Sequence, residues 1–411
     1  MEVIRWILLI VFSFFSGWFL VCYLTVHPLK MSRYLLFTVL SVAGIVVVMI
    51  TAFREQYLYI TLPLLIAAFI AGYYTRTKIF LNTPDTRTCP SLSRTPSQSG
   101  NGHTAIVYFT HGEPETYDPI GWINQFREFD EQKISFIPWF IRPIFAHKLR
   151  NGYLRIGRSN HVSTHNQMLK SLEREFRLAG DTTTRFYLSF LDASPTPKAA
   201  VIQALNEGAD RLIISTVFLT VSNHTAEGEE SIRELDIENR YGVPVHFASP
   251  LHDSEYLKMM FLERVNEHSQ DFDKSEVGIL LVGHGQPEEW DKEWPTETEQ
   301  EISFREGVLE LLAANGYHPE NMSLAWMEFK EPRPAQKIEE FVNNGVKCIL
   351  YFSAAISADA MHSQYDVPEL INKAVIPSDV VVKNMGAWND DPNVIKAIKE
   401  KIDIFLDKQS F

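Results

Sequence analysis

The sequence has few cysteines and a deficit of positive charge, and each shortage excludes a class of protein. Only three cysteines occur in 411 residues, and no two have Cys-x-x-Cys spacing, which argues against a disulfide framework or a cysteine-bound cluster. The 51 acidic residues outnumber the 38 basic residues, giving a net charge of −13. A nucleic acid is therefore not an expected partner. The GxGxxG, Walker and kinase signatures are also missing.

Long apolar runs, by contrast, are concentrated at the N-terminus. Residues 6–26, 34–53 and 57–74 are nearly uncharged, and each is close to the roughly 20 residues that a helix needs to cross a bilayer. Three such runs predict a multi-pass membrane domain over residues 1–78 rather than a cleaved signal peptide. The alternative is one anchor followed by buried core helices.

The basic residues near these runs predict the orientation in the cell membrane. With the N-terminus outside, only Arg5 and Arg54 flank the runs on the outer side. The inner side receives a larger set: Lys30, Arg33, Arg76, Lys78, Arg87 and Arg94. Because basic residues accumulate on the cytoplasmic side, the rest of the chain is expected to face the cytoplasm.

Residues 79–103 are rich in Thr, Ser, Pro, Asn and Gly and predict a flexible linker. From Thr104 onward, apolar runs alternate with amphipathic stretches, which indicates parallel sheets with crossover helices. Strands are expected at Ala105–Phe109, Thr184–Leu188, Arg211–Val217, Val243–Phe247, Val277–Val282, Cys348–Phe352 and Val380–Val382. The predicted fold class is α/β, with two similar Rossmann-like parallel-sheet domains, 104–260 and 261–411, preceded by three transmembrane helices.

A short motif occurs once in each half. Residues 107–114 read VYFTHGEP and residues 281–287 read LVGHGQP. Each copy predicts a buried strand that ends at a histidine, His111 or His284, followed by a sharp turn. Since open parallel sheets place their chemistry at the carboxyl ends of strands, we expect two halves that face one shared site.

A second repeat supports the two halves. A proline-started helix, a glycine that caps it and a buried strand follow one another twice. The positions are Pro197 with Gly208 and Pro334 with Gly345. After these strands come His224 and His362, so that each half supplies a second histidine.

With these motifs, the region from Thr104 to Asp407 resembles the class II tetrapyrrole metal chelatases, which comprise ferrochelatase and the shorter sirohydrochlorin and cobalt chelatases. Four segments carry the resemblance in order, at residues 136–150, 282–288, 344–366 and 389–398. The first resembles the apolar lip of the porphyrin mouth, although an ordinary core helix is the alternative. The resemblance implies a lyase that inserts a divalent metal into a tetrapyrrole. It also implies no tightly bound cofactor, with Fe²⁺ or Co²⁺ as a substrate.

The resemblance also implies roles for particular residues. His284 is expected to be the principal metal ligand, His362 a second ligand or proton acceptor, and Glu328, just after an apolar strand, a further ligand. Neutral imidazole suits both tasks because it binds borderline metals and titrates near neutral pH. Substrate contacts are expected from His111, Trp139, Phe140, Ile144 and Tyr365. Histidines without motif support are expected to be structural or solvated: His161, His165, His246 and His252.

Two questions stay open in the sequence. The acids Glu288, Glu289, Asp291, Glu297 and Glu299 form either a path for the ion or a solvated surface. His362 also occupies the position of the catalytic glutamate in a ferrochelatase and resembles the sirohydrochlorin-type enzymes.

The lip and the membrane runs favour protoporphyrin, so we expect a membrane-anchored ferrochelatase-like enzyme of heme biosynthesis that uses ferrous iron and contacts the lipid bilayer. The alternatives are a sirohydrochlorin chelatase of the cobalamin or siroheme pathway and a non-catalytic tetrapyrrole or metal binding protein. The oligomeric state is not predicted.

Overall fold

The computed structural model describes residues 2–52, 58–131 and 137–406. The chain forms two compact units, Met1–Thr86 with Thr116–Arg158, and Arg87–Glu115 with Ser159–Phe411. Parts of four sequence predictions lie outside the described residues. These are the span boundaries Phe53 and Tyr57, the flanking basic residue Arg54, Phe136 at the start of the lip, and Asp407 at the end of the family-like region.

Three long apolar helices form most of the first unit: α1 (Glu2–Thr25), α2 (Met31–Ala52) and α3 (Leu58–Leu81). All three are long and apolar enough to cross a membrane by length and composition. Glycines let α1 and α3 approach closely, since a Cβ on Gly17 would lie 2.2 Å from the Phe69 carbonyl oxygen and one on Gly72 would lie 1.9 Å from that of Phe14. Small residues at such contacts are typical of helix packing in membranes.

The first unit also contains α4 (Pro119–Glu131) and α5 (Arg142–Ile156). The buried Arg150 side chain on α5 donates to the carbonyl oxygens of Tyr23 and Val26, and the Tyr117 hydroxyl donates to that of Thr25 at 3.1 Å. These bonds satisfy carbonyls that the end of α1 leaves without helical partners. The lip segment, which the sequence assigned to the first α/β half, therefore groups with the apolar helices.

The second unit contains two four-stranded parallel sheets in its described residues. Their orders are β2-β1-β3-β4 and β6-β5-β7-β8. The strands are β1 (His103–Thr110), β2 (Arg185–Phe190), β3 (Ala209–Thr216), β4 (Val245–Ala248), β5 (Val277–Gly283), β6 (Met322–Trp326), β7 (Cys348–Ser353) and β8 (Val381–Asn384). The predicted α/β class with two similar halves and three N-terminal apolar helices is confirmed.

The helices of the second unit connect these strands as crossovers. In chain order they are α6 (His161–Leu178), α7 (Pro197–Asn206), α8 (Asn223–Arg233), α9 (Ile237–Tyr241), α10 (Glu255–His268), α11 (Glu288–Glu293), α12 (Pro295–Ala314), α13 (Pro334–Asn343), α14 (Val367–Ile371) and α15 (Pro392–Leu406). One apolar core, with Ile106 and Ile213 from the first sheet and Ile279 and Leu350 from the second, joins the two halves. Each sheet has a separate core on its other face.

The second repeat of the sequence has the same structure in both halves. The helices α7 and α13 begin at Pro197 and Pro334, and Gly208 and Gly345 follow them with φ values of +87° and +83°. Each glycine leads into the strand that pairs with the motif strand of its half, β3 with β1 and β7 with β5. The residues that follow β3 in the first half and β7 in the second half are therefore in equivalent positions beside the motif strands.

The predicted flexible linker differs from the structure after Thr86. Residues 87–102 form no helix or strand, yet they belong to the second unit and bond to it. The main-chain N–H of Ser93 donates to the Asn206 side chain at 2.7 Å, that of Asn101 donates to the Gly208 carbonyl at 2.7 Å, and the buried Arg94 donates to the Ala209 carbonyl. Composition suggested disorder because it counts apolar residues, whereas these contacts are polar.

Candidate active site

The turn after β5 fixes His284 at the carboxyl end of the second sheet. Its Nδ1 lies 2.6 Å from the Gly285 carbonyl oxygen, and Gly285 has a φ of +81° that favours glycine. The main-chain N–H of His284 donates to Oε1 of the buried Glu301 at 3.0 Å. Gly283 is required beside it, because a Cβ there would lie 2.0 Å from the same Glu301 oxygen. Backbone and side chain of His284 are thus both held in place.

His362 lies next to His284, as the two candidate roles require. It begins a π-helical turn, His362–Asp366, after β7, and its ring centroid is 5.1 Å from that of His284. Nδ1 of His362 is 2.9 Å from Oδ2 of Asp366. Turns of this kind within helices are frequent at functional sites. The substrate-contact candidate Tyr365 lies in the same turn and is half-buried.

The two imidazoles prefer opposite charge states. Burial and the neighbouring His362 lower the pKa of His284 to about 3. Burial also lowers the pKa of His362, but the hydrogen bond and charge of Asp366, with Glu328 and Glu113, outweigh it and raise that pKa to about 9. At neutral pH the pair therefore holds one neutral imidazole, able to bind a metal, and one imidazolium.

Glu328 lies beside this pair but is not arranged as a ligand in the structure. Its main-chain N–H donates to the His284 carbonyl at 3.1 Å, and its side chain is exposed. Its charge nevertheless raises the pKa of His362. Within the described ranges there is no group of three or more His, Cys, Asp or Glu side chains that could hold a metal ion. The metal-ligand role of Glu328 stays a prediction.

The first half has a histidine pair of the same kind. The rings of His111 and His224 are 4.8 Å apart, and Nδ1 of His111 lies 3.0 Å from the Gly112 carbonyl oxygen and 3.2 Å from Oδ2 of Asp192. His224 is near the start of α8, and burial lowers its pKa well below the usual value. The charge of His111 contributes to the lowered pKa of His284, so the two pairs act on each other electrostatically.

Sequence reasoning missed Glu113, and two histidines without motif support also lie in this region. Glu113 accepts the main-chain N–H of Met361, the residue before His362, at 3.0 and 3.2 Å, and burial raises its pKa. The signal was its place in the motif, where Gln286 is the buried equivalent in the second half. His161 and His165, expected to be structural or solvated, are buried at i and i+4 on α6, with ring centroids 4.5 Å apart.

His165 links the two halves of the second unit, so its structural role is defined. Its ring nitrogens lie 2.8 Å from the Tyr108 hydroxyl, and 3.2 Å from both the Thr110 and Ser357 hydroxyls. Burial lowers the pKa of His165 to about 3, so the ring is neutral at ordinary pH. Burial lowers the pKa of His161 well below its usual value, and the charges of His165, His111 and His362 lower it further.

The acidic segment after His284 divides into two environments. Glu288, Glu289 and Glu299 are exposed, as a solvated surface requires. Asp291 forms an ion pair with Lys330, and the buried Glu297 oxygen Oε2 has no hydrogen-bond partner among the described residues. Burial, followed by the charges of Glu301 and Asp291, raises the pKa of Glu297 to about 8. A continuous row of equivalent carboxylates is not what the structure shows in this segment.

The lip candidates belong to the first unit and pack on the end of α3. The Trp139 ring meets the Tyr74 ring edge-on at 5.1 Å, and the Lys78 ammonium lies 5.1 Å from the Trp139 ring. The Tyr73 hydroxyl donates to the Phe140 carbonyl at 2.8 Å. Phe140 and Ile144 are 50% and 53% exposed. These side chains are available at the surface of their unit, and their contact with substrate stays a prediction.

Comparison with known proteins supplies a family. Residues 103–404 match the family model Ferrochelatase. The comparison with curated proteins gives no match.

Solved structures also resemble the chain, at low identity. SirB from Bacillus subtilis with Fe³⁺ is 13% identical with a TM-score of 0.46, covering 73% of this chain and 94% of that one. The sirohydrochlorin chelatase SirB from Bacillus subtilis subspecies spizizenii in complex with cobalt is 11% identical with a TM-score of 0.42, covering 75% and 97%. CbiX, the terminal enzyme of siroheme biosynthesis in denitrifying bacteria, is 13% identical with a TM-score of 0.38, covering 74% and 98%.

Proposed function

The chain belongs to the ferrochelatase family, and from this membership we propose that it inserts ferrous iron into protoporphyrin at the His284–His362 pair while its apolar helices hold it in a membrane. A metal chelatase acting on a tetrapyrrole is the coarser function that the family supports. The observation that carries the assignment of the site is the contact between the two imidazoles, 5.1 Å apart at the carboxyl ends of adjacent strands. The metal is a substrate, and no resident cofactor is proposed.

The chemistry assigns a different task to each histidine. Insertion requires a ligand that holds the ion and then releases it, and an acceptor for the two pyrrole protons. His284, whose pKa is lowered to about 3, is neutral over the whole working range and is the proposed ligand. His362, held charged by Asp366, has to lose its proton before it can accept one or bind the ion.

Protoporphyrin is the favoured substrate because of the apolar surface that the chain displays. Three helices suit a bilayer, and Phe140 and Ile144 expose apolar side chains in the same unit. A flat, apolar and poorly soluble macrocycle gains from an enzyme held at the membrane, whereas a water-soluble one does not. We further propose that the second unit faces the cytoplasm, since the basic residues flanking the helices are concentrated on that side.

A second candidate is cobalt or iron insertion into sirohydrochlorin. The second histidine with its carboxylate partner, His362 with Asp366 at 2.9 Å, favours it. Two imidazoles form a softer donor set than a histidine with a glutamate, and such a set suits cobalt as well as iron.

The test is a metal-insertion assay on the purified full chain, following the absorbance change for protoporphyrin and for sirohydrochlorin with Fe²⁺ and with Co²⁺. We expect turnover with Fe²⁺ and protoporphyrin. His284→Ala should lower kcat/KM by at least about 100-fold, because even partners that only orient a metal ligand cost 10–100-fold. His318→Ala, which removes an exposed histidine, is the matched control.

Each other result has a defined meaning. Turnover only with sirohydrochlorin would select the second candidate. Turnover that His284→Ala leaves unchanged would contradict the site. Tight tetrapyrrole binding with no turnover for any pair of substrates would identify a binding protein instead.

A further inference from the structure

The π-helical turn that carries His362 is held by residues of the first half. The main-chain N–H of Met361, directly before the turn, donates to both carboxylate oxygens of Glu113, at 3.0 and 3.2 Å. Within the turn, the Gln364 side chain accepts the main-chain N–H of Asn160 at 3.1 Å. Glu113 and Asn160 lie 248 and 204 positions before their partners, within the same second unit. The place of His362 therefore depends on the first half.

Glu113 acts on this turn as a capping residue acts on a helix. The first N–H groups of a helix lack partners inside it and need an acceptor elsewhere. The N–H of Ala360 is bonded locally, to the Ser363 hydroxyl at 3.0 Å, whereas that of Met361 uses the Glu113 carboxylate. Negative charge is favourable at the start of a helix, because the helix dipole is positive there. The carboxylate thus fixes where the turn begins.

The Glu113 side chain is itself held in place. Ser159, which is fully buried, forms a side-chain hydrogen bond with it. The Ser159 hydroxyl oxygen also accepts the main-chain N–H of His161, the first residue of α6, at 3.3 Å. Consecutive hydrogen bonds therefore join the start of α6, the serine, the carboxylate and Met361. A connected series of this kind restricts the movement of each member.

The equivalent position in the second half has a different residue with different partners. It is Gln286, whose amide Nε2 donates to Oδ1 of Asp291 at 2.8 Å and to the Trp294 carbonyl at 3.0 Å. Both bonds stay within the second half. At this position of the repeat, a carboxylate therefore occurs in the half opposite to the proposed histidine pair, from which it reaches the turn of that pair.

We propose that Glu113 is a positioning residue, whose carboxylate fixes the start of the π-helical turn and thereby the place of His362 beside His284. The effect on metal insertion rests on the proposed function, whereas the effect on the turn does not. Reach is the property that matters, because both oxygens face a single main-chain N–H. Glutamine has the same length and keeps one acceptor oxygen, while aspartate keeps the charge but is one methylene shorter. The two substitutions therefore separate positioning from a purely electrostatic role.

Hydrogen exchange, measured by mass spectrometry on the full chain in detergent, tests the effect on the turn. Glu113→Ala and Glu113→Asp should each raise amide exchange in peptides covering residues 359–366 by at least about 10-fold, because a charge-assisted hydrogen bond is lost. Peptides covering β5 should exchange as in the unchanged protein. Glu113→Gln should exchange like the unchanged protein in both regions. If Glu113→Ala does not fold, the comparison of glutamine with aspartate still decides.

Metal insertion, measured well below the unfolding temperature of each variant, tests the consequence. Glu113→Asp should lower kcat by about 100-fold with little change in KM, because displacing a reacting group by about 1 Å has an effect of that size. Glu113→Gln should lose less than about 10-fold, since it keeps a weaker, neutral hydrogen bond. The matched control is Ser171→Ala, which removes another bond between the halves, from Ser171 to Oδ2 of Asp390 at 3.1 Å. It should leave exchange of the turn and kcat unchanged.

Three results would overturn the proposal. Faster exchange throughout the second unit would mean that Glu113 only stabilises the fold. A loss of protection and activity in Glu113→Gln that Glu113→Asp does not share would mean that charge matters instead of reach. Faster exchange of the turn with an unchanged kcat would mean that the place of the turn does not limit insertion. If the unchanged protein inserts no metal, the proposed function fails, and exchange alone decides whether Glu113 fixes the turn.

Discussion

At the scale of the residue, Asp366 favours the charged form of His362 and, in the proposed function, sets the pH range in which the site would act. Asp366 Oδ2 lies 2.9 Å from Nδ1 of His362, and its charge outweighs the effect of burial on the pKa. Without this carboxylate, burial would favour the neutral ring, as it does at His284 and His224. The π-helical turn that brings the two side chains together is thus part of the proposed site.

Asp366→Asn should move the pH dependence of insertion to lower pH. In the unchanged enzyme the neutral form of His362 accumulates as pH rises toward about 9, so kcat/KM should rise over the same range. The asparagine cannot hold the imidazolium, and the rise should shift down by about one to two units. Metal insertion measured from pH 6 to 10 checks this, and an unchanged profile would contradict the role of His362.

The same pair affects stability with a definite sign. The pKa of His362 in the folded protein is above its unfolded value, so the pair stabilises the fold fully below about pH 6.5 and loses that contribution as pH rises toward about 9. Thermal unfolding of the unchanged protein and of Asp366→Asn should therefore differ most at pH 6 and converge near pH 10. A constant difference would show that the aspartate acts by packing instead.

A buried ion pair beneath His284 should be the most sensitive point of the second half. Glu301 and Arg305 are 3% and 0% exposed, and Arg305 donates to the carbonyls of Leu281 and Ala325 at 3.1 and 2.9 Å. Arg305→Met leaves the Glu301 carboxyl buried without its partner and should cost about 3–5 kcal/mol of unfolding free energy. Glu301→Gln with Arg305→Met should cost less than Arg305→Met alone. Chemical denaturation measures both, and equal losses would exclude coupling between the two side chains.

The residues of the site were predictable as far as the motif repeats. His284 directly follows β5, and His362 lies in the segment that follows the neighbouring strand β7. A parallel sheet brings the segments after such strands together. Glu113 and His161 were not predictable in this way. Their positions depend on how α6, the turn after β1 and the π-helical turn pack together. Only coordinates show that Glu113 bonds to the residue before His362.

At the scale of the element, the turn after β5 allows a matched test of backbone geometry. Gly285 and Gly345 have nearly equal φ values, +81° and +83°. A Cβ on Gly285 would lie 2.3 Å from the Glu328 carbonyl oxygen, whereas no atom of the described residues lies within 4 Å of one on Gly345. Both alanine substitutions incur the left-handed strain of about 1–2 kcal/mol. Only Gly285→Ala should displace His284.

Insertion activity distinguishes the two substitutions. Gly285→Ala should lower kcat by about 100-fold, because a catalytic group displaced by about 1 Å costs that much, while Gly345→Ala should keep nearly full activity with reduced stability. Equal activity in the two variants would show that the turn does not set the position of His284.

The strands were predictable from the sequence because each is marked by its own apolar run. All seven predicted strands are present with ends shifted by a few residues, and β6 completes the second sheet just before Glu328. The linker and the lip were not predictable, since their places depend on distant partners. Asn206 and Gly208 hold residues of the expected linker, and the end of α1 holds Arg150 of the lip segment. Neither set of contacts can be recognised from the amino-acid composition of the segment.

At the scale of the whole molecule, the number of membrane crossings determines which side of the membrane carries the chemistry. Three helices long and apolar enough to span precede the second unit, and three crossings would put the N-terminus and that unit on opposite sides. In the topology proposed above, the basic residues favour the cytoplasm for the second unit. Under the proposed function, the metal would then reach His284 from that side.

Cysteine labelling tests this orientation with residues that the chain already has. Cys89 is exposed, whereas Cys22 and Cys348 are buried, so a membrane-impermeant maleimide should label Cys89 alone. We expect labelling in inside-out vesicles and none in intact cells. Tyr59, 88% exposed at the start of α3, is on the opposite side in the proposed topology, so Tyr59→Cys in a Cys89→Ser background should label only in intact cells. The reverse pattern would mean that the protein has the opposite orientation in the membrane. Labelling of both positions from one side would mean that α3 does not cross the membrane.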